Sequence, residues 1–153
     1  MIIAYDGSVP ARQALVAAGK LLQGCRIVVV TVWEPALASL MPSASVEGMM
    51  MTEPIDPEDA RESDVKLENY ADTVAHEGAD LASALGLEAE PFAVPDERDV
   101  ARTVIGLARD QGAAAIVVGS RGLSGLRAKF EGSTSKTLLT HSPCPVLVSH
   151  ATE

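Results

Sequence analysis

The chain predicts a doubly wound α/β fold: an open sheet of five parallel strands in the order 3-2-1-4-5, with helices on both faces. Three observations lead there. Apolar, strand-like runs alternate with helical patterns along the whole length, which calls for parallel strands joined by right-handed crossovers. The third run contains Pro91, and the fifth is entered through Pro143 and Pro145. Proline cannot donate to a ladder, so those two strands belong at the sheet edges. The fourth run, Ala114 to Val118, is apolar at every position and so belongs in the centre.

The elements follow in order. Ile2 to Tyr5 is a short first strand, and Asp6-Gly7-Ser8 is a turn in which Ser8 caps a helix and Pro10 is tolerated in its first turn. Ala11, Ala14, Leu15, Ala18 and Leu22 recur at helical spacing until Gly24. Ile27 to Trp33 is the second strand. Glu34 to Pro57 breaks the rhythm with four prolines and Met49-Met50-Met51, and reads as a long mobile loop or lid. A long helix runs from Glu58 to Leu85, with Leu67, Tyr70, Val74, Gly78, Leu81 and Leu85 expected on its buried face and Gly86 as its stop. Leu87 to Val94 is the third strand, and Val100 to Gln111 a helix stopped by Gly112. A short helix to about Thr140 and a strand from Pro145 to Ser149 complete the pattern.

Length and composition fit one domain spanning residues 1–153. Apolar residues make up 47 % and charged residues 22 %, ordinary for a soluble protein. No run is long enough to span a membrane, and the N-terminus lacks a signal peptide's basic start and cleavage site, so a cytoplasmic location is expected. A net charge of −9 and only 3 % aromatics argue against nucleic acid as a partner, since a polyanion is repelled and stacking platforms are few. Cys25 and Cys144 have no metal or redox spacing. Their strands lie three positions apart, about 14 Å. That exceeds the ~7 Å Cα separation a disulfide tolerates, so two free thiols are expected.

The most informative stretch is Gly119-Ser120-Arg121-Gly122, then nine residues, then Gly132-Ser133-Thr134. It follows a strand and opens a helix. Glycines let the backbone turn tightly and let phosphate oxygens reach main-chain N–H groups. The helix start adds unpaired N–H groups and the positive end of a macrodipole. Four bases (Arg121, Arg127, Lys129, Lys136) face one acid (Glu131) here, a basic island that suits a polyphosphate. In the expected strand order the winding reverses between the first and fourth strands, and ligands settle outside the strand ends at that point. Asp6 and Gly119 end those two strands. Asp6 fits either a ribose hydroxyl or a divalent ion beside the phosphates, or a turn aspartate bonding its own backbone. Neither the Walker nor the dinucleotide glycine signature is present.

Gly119-x2-Gly122-x9-Gly132-Ser133 resembles the ATP-binding pattern of the universal stress protein family. Ala4-Tyr5-Asp6-Gly7-Ser8 is similar to that family's first strand and turn, and Ser142-Pro143-Cys144-Pro145-Val146-Leu147-Val148 to its closing strand. The resemblance implies a Rossmann-like, adenine nucleotide alpha hydrolase-like fold and a stress-response module that binds ATP; the divalent ion that Asp6 could hold with the nucleotide would be Mg or Mn. It places the adenine near Ala4, Asp6 and Val32, and the ribose and phosphates near Val118, Gly119, Gly122, Gly132, Ser133 and Thr134. Gly7, Ser120 and Arg121 adjoin these positions and complete the candidate site, the family pattern itself being permissive at Arg121. It also implies a homodimer through the edge strand 145–149, for which the apolar edge Val146-Leu147-Val148 is an independent reason.

No catalytic residue is assigned. His76, His141 and His150 are scattered without metal spacing, and no serine sits in a nucleophile elbow. Three functions remain open: a nucleotide-binding regulatory module, a slow metal-dependent ATP hydrolase working through Asp6, and a dimeric scaffold without nucleotide.

Overall fold

The computed structural model describes residues 1–35, 56–96, 99–119 and 133–149. The strands are β1 (Ile2–Ala4), β2 (Arg26–Trp33), β3 (Glu88–Pro95), β4 (Ile116–Gly119) and β5 (Val146–Ser149). They form one sheet in the order β3-β2-β1-β4-β5, and every adjacent pair is parallel. The predicted order and both proline-marked edges are therefore correct. Strand boundaries shift by one or two residues: β1 ends at Ala4 rather than Tyr5, β2 begins at Arg26 rather than Ile27, β3 spans Glu88–Pro95 rather than 87–94, β4 spans Ile116–Gly119 rather than 114–118, and β5 begins at Val146 rather than Pro145.

The helices are α1 (Val9–Leu21), α2 (Pro57–Ala84), α3 (Val100–Asp110) and α4 (Ser133–His141). The first three start on side-chain caps. Ser8 Oγ accepts from the Ala11 N–H at 3.2 Å, Asp56 Oδ1 from Glu58 at 2.9 Å, and Asp99 Oδ1 from Arg102 at 2.9 Å. Each cap satisfies a backbone donor that the helix itself leaves open.

Strand alternation divides the buried residues between two cores. On one face Ile3, Tyr5, Ile27, Val29 and Val117 meet α1 and α2. On the other Ile2, Val28, Val30, Ile116 and Val118 meet α3 and Leu138 of α4. Fully buried Ile and Leu side chains such as Ile3, Leu15, Ile27 and Leu138 contribute about 2 kcal/mol each. Cys25 packs at the first core and Cys144 at the second, so the sheet lies between two free thiols.

The stripe expected on α2 holds from Val74 onward and fails before it. Val74 and Gly78 are buried and Leu81 and Leu85 pack against the core, but Tyr70 is 69 % exposed and Leu67 39 %. Ala71, Ala75, Ala79 and Ala82 fill the rest of the buried face. At Gly78 an added Cβ would stand 2.7 Å from Tyr5 Cδ1 and 2.8 Å from Val29 Cγ1. The helix rides so close to the sheet there that no side chain fits at position 78, with Ala75, Ala79 and Ala82 buried around it and Leu81 and Leu85 packed against the core further along. The loop expected at 34–57 falls largely outside the described residues, Met49 to Met51 included. Among the described residues no helix is long and apolar enough to cross a membrane.

Candidate functional site

The carboxyl ends of β2, β1 and β4 define the candidate site. Parallel register sets Ile2 beside Val28 and Ile116, and Ala4 beside Val30. Val30, Val32 and Val118 belong to the core on the α3 and α4 face, which forms the floor of the site. Ala4 shares that face with Ile2, two residues before it. α4 runs back along the sheet, so its start at Ser133 lies at the same end, with Thr134 half-buried. Unpaired N–H groups and the positive end of the α4 dipole thus belong to this rim. The structure brings Ala4, Asp6, Gly7, Val32, Val118, Gly119, Ser133 and Thr134 to one end of the sheet. Ser120, Arg121, Gly122, Arg127, Lys129 and Gly132 lie outside the described residues.

The turn after β1 is heavily tied. Tyr5 N–H donates to Val30 O at 2.8 Å, and Thr31 Oγ1 donates to Tyr5 O at 2.9 Å. Gly7 has φ +75°, in the left-handed region where a Cβ is strained. Asp6 Oδ1 accepts from Ser8 N–H at 3.0 Å. Half of this carboxylate therefore shapes its own turn, leaving Oδ2 as the atom for a ligand. A single carboxylate oxygen would suit Mg²⁺ where nucleotide oxygens completed the set, since that ion takes few protein ligands. Asp6 would hold such an ion only together with the nucleotide. Among the described residues no cluster of three His, Cys, Asp or Glu groups forms a metal site without it.

Beneath the turn lies a network that the sequence did not signal. Tyr5, wholly buried, donates its hydroxyl to Glu77 Oε1 on α2 at 2.8 Å. The same oxygen meets Arg12 Nη2 at 2.6 Å, and Arg12 Nε donates to Gly7 O at 3.2 Å. Burial, reinforced by the hydrogen bond to the Glu77 carboxylate, pushes the Tyr5 phenol up to about 12. The only sequence hint was Gly78, a mid-helix glycine that marks a close approach next to Glu77.

Gly119 has a structural task independent of any ligand. A Cβ there would stand 2.8 Å from Pro10 O, 2.9 Å from Pro10 C and 3.2 Å from Ala11 N. The end of β4 therefore abuts the first turn of α1, backbone against backbone. A cavity of about 650 Å³ opens elsewhere, between the end of β3, α3 and α4. Asp99, Arg102, Thr103, Thr137 and His141 are among its lining, and none of the predicted site residues is among the described residues that line it. The strand ends differ from this cavity in combining the winding reversal between β1 and β4 with the starts of α1 and α4. His76 and His141 are exposed helix residues whose Nδ1 atoms face the carbonyls of Asp72 and Thr137, four positions back.

A profile of the universal stress protein family matches residues 1–150, nearly the whole chain. The chain belongs to the universal stress protein family. It is 31 % identical over 153 residues to universal stress protein YxiE of Bacillus subtilis, covering 97 % of this chain and 96 % of that one. It is 30 % identical over 151 residues to the "Universal stress protein in QAH/OAS sulfhydrylase 3'region" of Thermus aquaticus, with the same coverages. Its fold is similar to that of hypothetical protein MJ0577 (TM-score 0.74, 18 % identity, 99 % and 95 % of the two chains). It also resembles a universal stress protein in complex with cAMP (TM-score 0.64, 21 % identity, 99 % and 96 %). A third is the Archaeoglobus fulgidus universal stress protein in complex with dAMP (TM-score 0.60, 18 % identity, 96 % and 94 %).

Proposed function

We propose that the protein binds an adenine nucleotide, ATP foremost, at the carboxyl ends of β1, β2 and β4, and acts as a homodimeric regulatory module of the cytoplasmic stress response. One observation carries the reading. The winding reversal sets the Asp6-Gly7-Ser8 turn and the start of α4 at the same end of the sheet, within a chain of this family. Complexes of two structural relatives with cAMP and dAMP support adenine as the base.

In this reading Ala4, Asp6, Gly7 and Val32 receive the adenosine. Val118, Gly119, Ser120, Arg121, Gly122, Gly132, Ser133 and Thr134 receive the ribose and phosphates, largely through main-chain amides. A divalent ion such as Mg or Mn, when it accompanies the nucleotide, would neutralise phosphate charge next to Asp6. The dimer forms through residues 145–149. β5 is the sheet edge beyond β4, and Leu147 there is 36 % exposed. Mass spectrometry of the small molecules released by denaturing the purified protein tests the ligand, with an adenine nucleotide expected. Light scattering tests the assembly, with a mass near 32 kDa, twice the 16.0 kDa chain, expected. Labelled ATP separates binding from hydrolysis: stoichiometric retention without phosphate release is expected, and turnover abolished in Asp6→Ala would favour the hydrolase.

A further inference from the structure

Arg12 and Glu77 make an arrangement that their own stability does not explain. Their side chains are 52 % and 48 % exposed, and an ion pair so wet contributes little. Yet Glu77 Oε1 takes the buried Tyr5 hydroxyl and the Arg12 guanidinium together, and Arg12 passes the link on to the Gly7 carbonyl. Glu77 is itself anchored, since its neighbour Gly78 is pressed against the Tyr5 ring and Val29. The chain of contacts therefore runs from a rigid helix to the backbone of the one left-handed residue in the turn after β1.

The rest of the turn is held from other sides. Thr31 grips the Tyr5 carbonyl from below, and Asp6 grips the Ser8 amide from within. Arg12 supplies the remaining hold, on the Gly7 carbonyl. Without it the Gly7 peptide plane can rotate, and the Asp6 carboxylate and Ser8 amide turn with it.

We propose that Arg12 and Glu77 are positioning residues of the nucleotide site: they hold the Asp6–Ser8 turn in the shape that receives the adenosine, without touching the ligand. The proposal rests on the adenine-nucleotide reading above. Two conservative variants isolate the role. Arg12→Lys keeps a cation for Glu77 but lacks the Nε that bonds Gly7. Glu77→Gln keeps an acceptor for Tyr5 but removes the ion pair.

Both are compared with the wild-type chain by calorimetry with ATP and with AMP, by thermal melting, and by amide hydrogen exchange at Gly7 and Ser8. Each variant is expected to weaken ATP and AMP by the same factor, about tenfold, the size of one lost charge-assisted hydrogen bond. The ATP-to-AMP ratio stays fixed because the phosphates are held elsewhere. Exchange at Ser8 quickens, while the melting temperature stays within a few degrees of wild type, as a surface pair requires. Wild-type affinity in both variants would overturn the positioning role while leaving the nucleotide reading intact. A wild-type chain that binds neither ATP nor AMP would instead overturn the reading itself, and the role with it.

Discussion

Replacing Gly119 by alanine is expected to destabilise the protein with no ligand present. The new Cβ would stand 2.8 Å from Pro10 O and 2.9 Å from Pro10 C. Ordinary contact begins near 3.4 Å, so the first turn of α1 has to retreat by roughly 0.6 Å or β4 has to bend. Both partners are backbone, so no side chain can swing aside. Overpacking of this kind costs about 1–3 kcal/mol, and the entropy that alanine removes from the unfolded chain returns about 0.4–1 kcal/mol. The net loss is on the order of 1–2 kcal/mol. For a chain of this length that lowers Tm by roughly 3–8 °C. Gly106 in α3 is the matched control, because a Cβ there meets nothing within 4 Å. Gly106→Ala gains helix propensity and should raise Tm by roughly 2–4 °C. Calorimetric melts of the two ligand-free variants give the answer. An unchanged or higher Tm for Gly119→Ala would refute the claim that β4 and α1 meet there backbone to backbone.

The remaining predictions concern the turn and the glycine loop. Tyr5 is a proton-bearing group whose folded pKa, about 12, lies above the usual value of 10. The folded state therefore holds its proton more tightly, and this stabilisation is complete below pH 10 and is lost as pH rises from 10 to 12. Its partner Glu77 is half exposed, so solvent screens the effect to about 1 kcal/mol. Denaturant melts at pH 9 and pH 11.5 should show that loss in the wild type and a smaller one in Tyr5→Phe. Equal losses would contradict the network. Gly122→Val and Gly132→Val are each expected to abolish ATP binding in a folded protein, because a branched side chain fills the space the phosphates need. Near-normal affinity in either, by calorimetry, would contradict a cradle made of backbone.

Much of this fold was legible because its signals are local. Pro91, Pro143 and Pro145 marked both edges of the sheet, and the unbroken apolar run ending at Val118 marked a central strand. Ser8 capped its helix as its position suggested. What escaped depends on contacts far apart in the chain. Tyr5 and Glu77 are separated by 72 residues, and no spacing rule pairs them. Tyr70 was expected inside because it is large and apolar. Beside Tyr70 the helix buries Ala71 instead, whereas Val74, Leu81 and Leu85 pack on the core where periodicity put them. Gly119 stood out in the sequence as part of a phosphate pattern, and the structure adds a second demand on the same residue from α1.

Titration of the wild-type protein with ATP in the presence of Mg²⁺ bears most directly on the account, since every functional assignment depends on a nucleotide seated where the sheet reverses its winding. One mole of ATP per chain, with NMR shifts or crystallographic density at Asp6, Gly7 and Gly119, is the expected result. No heat at millimolar ATP, or a nucleotide seated instead in the cavity between α3 and α4, would contradict it.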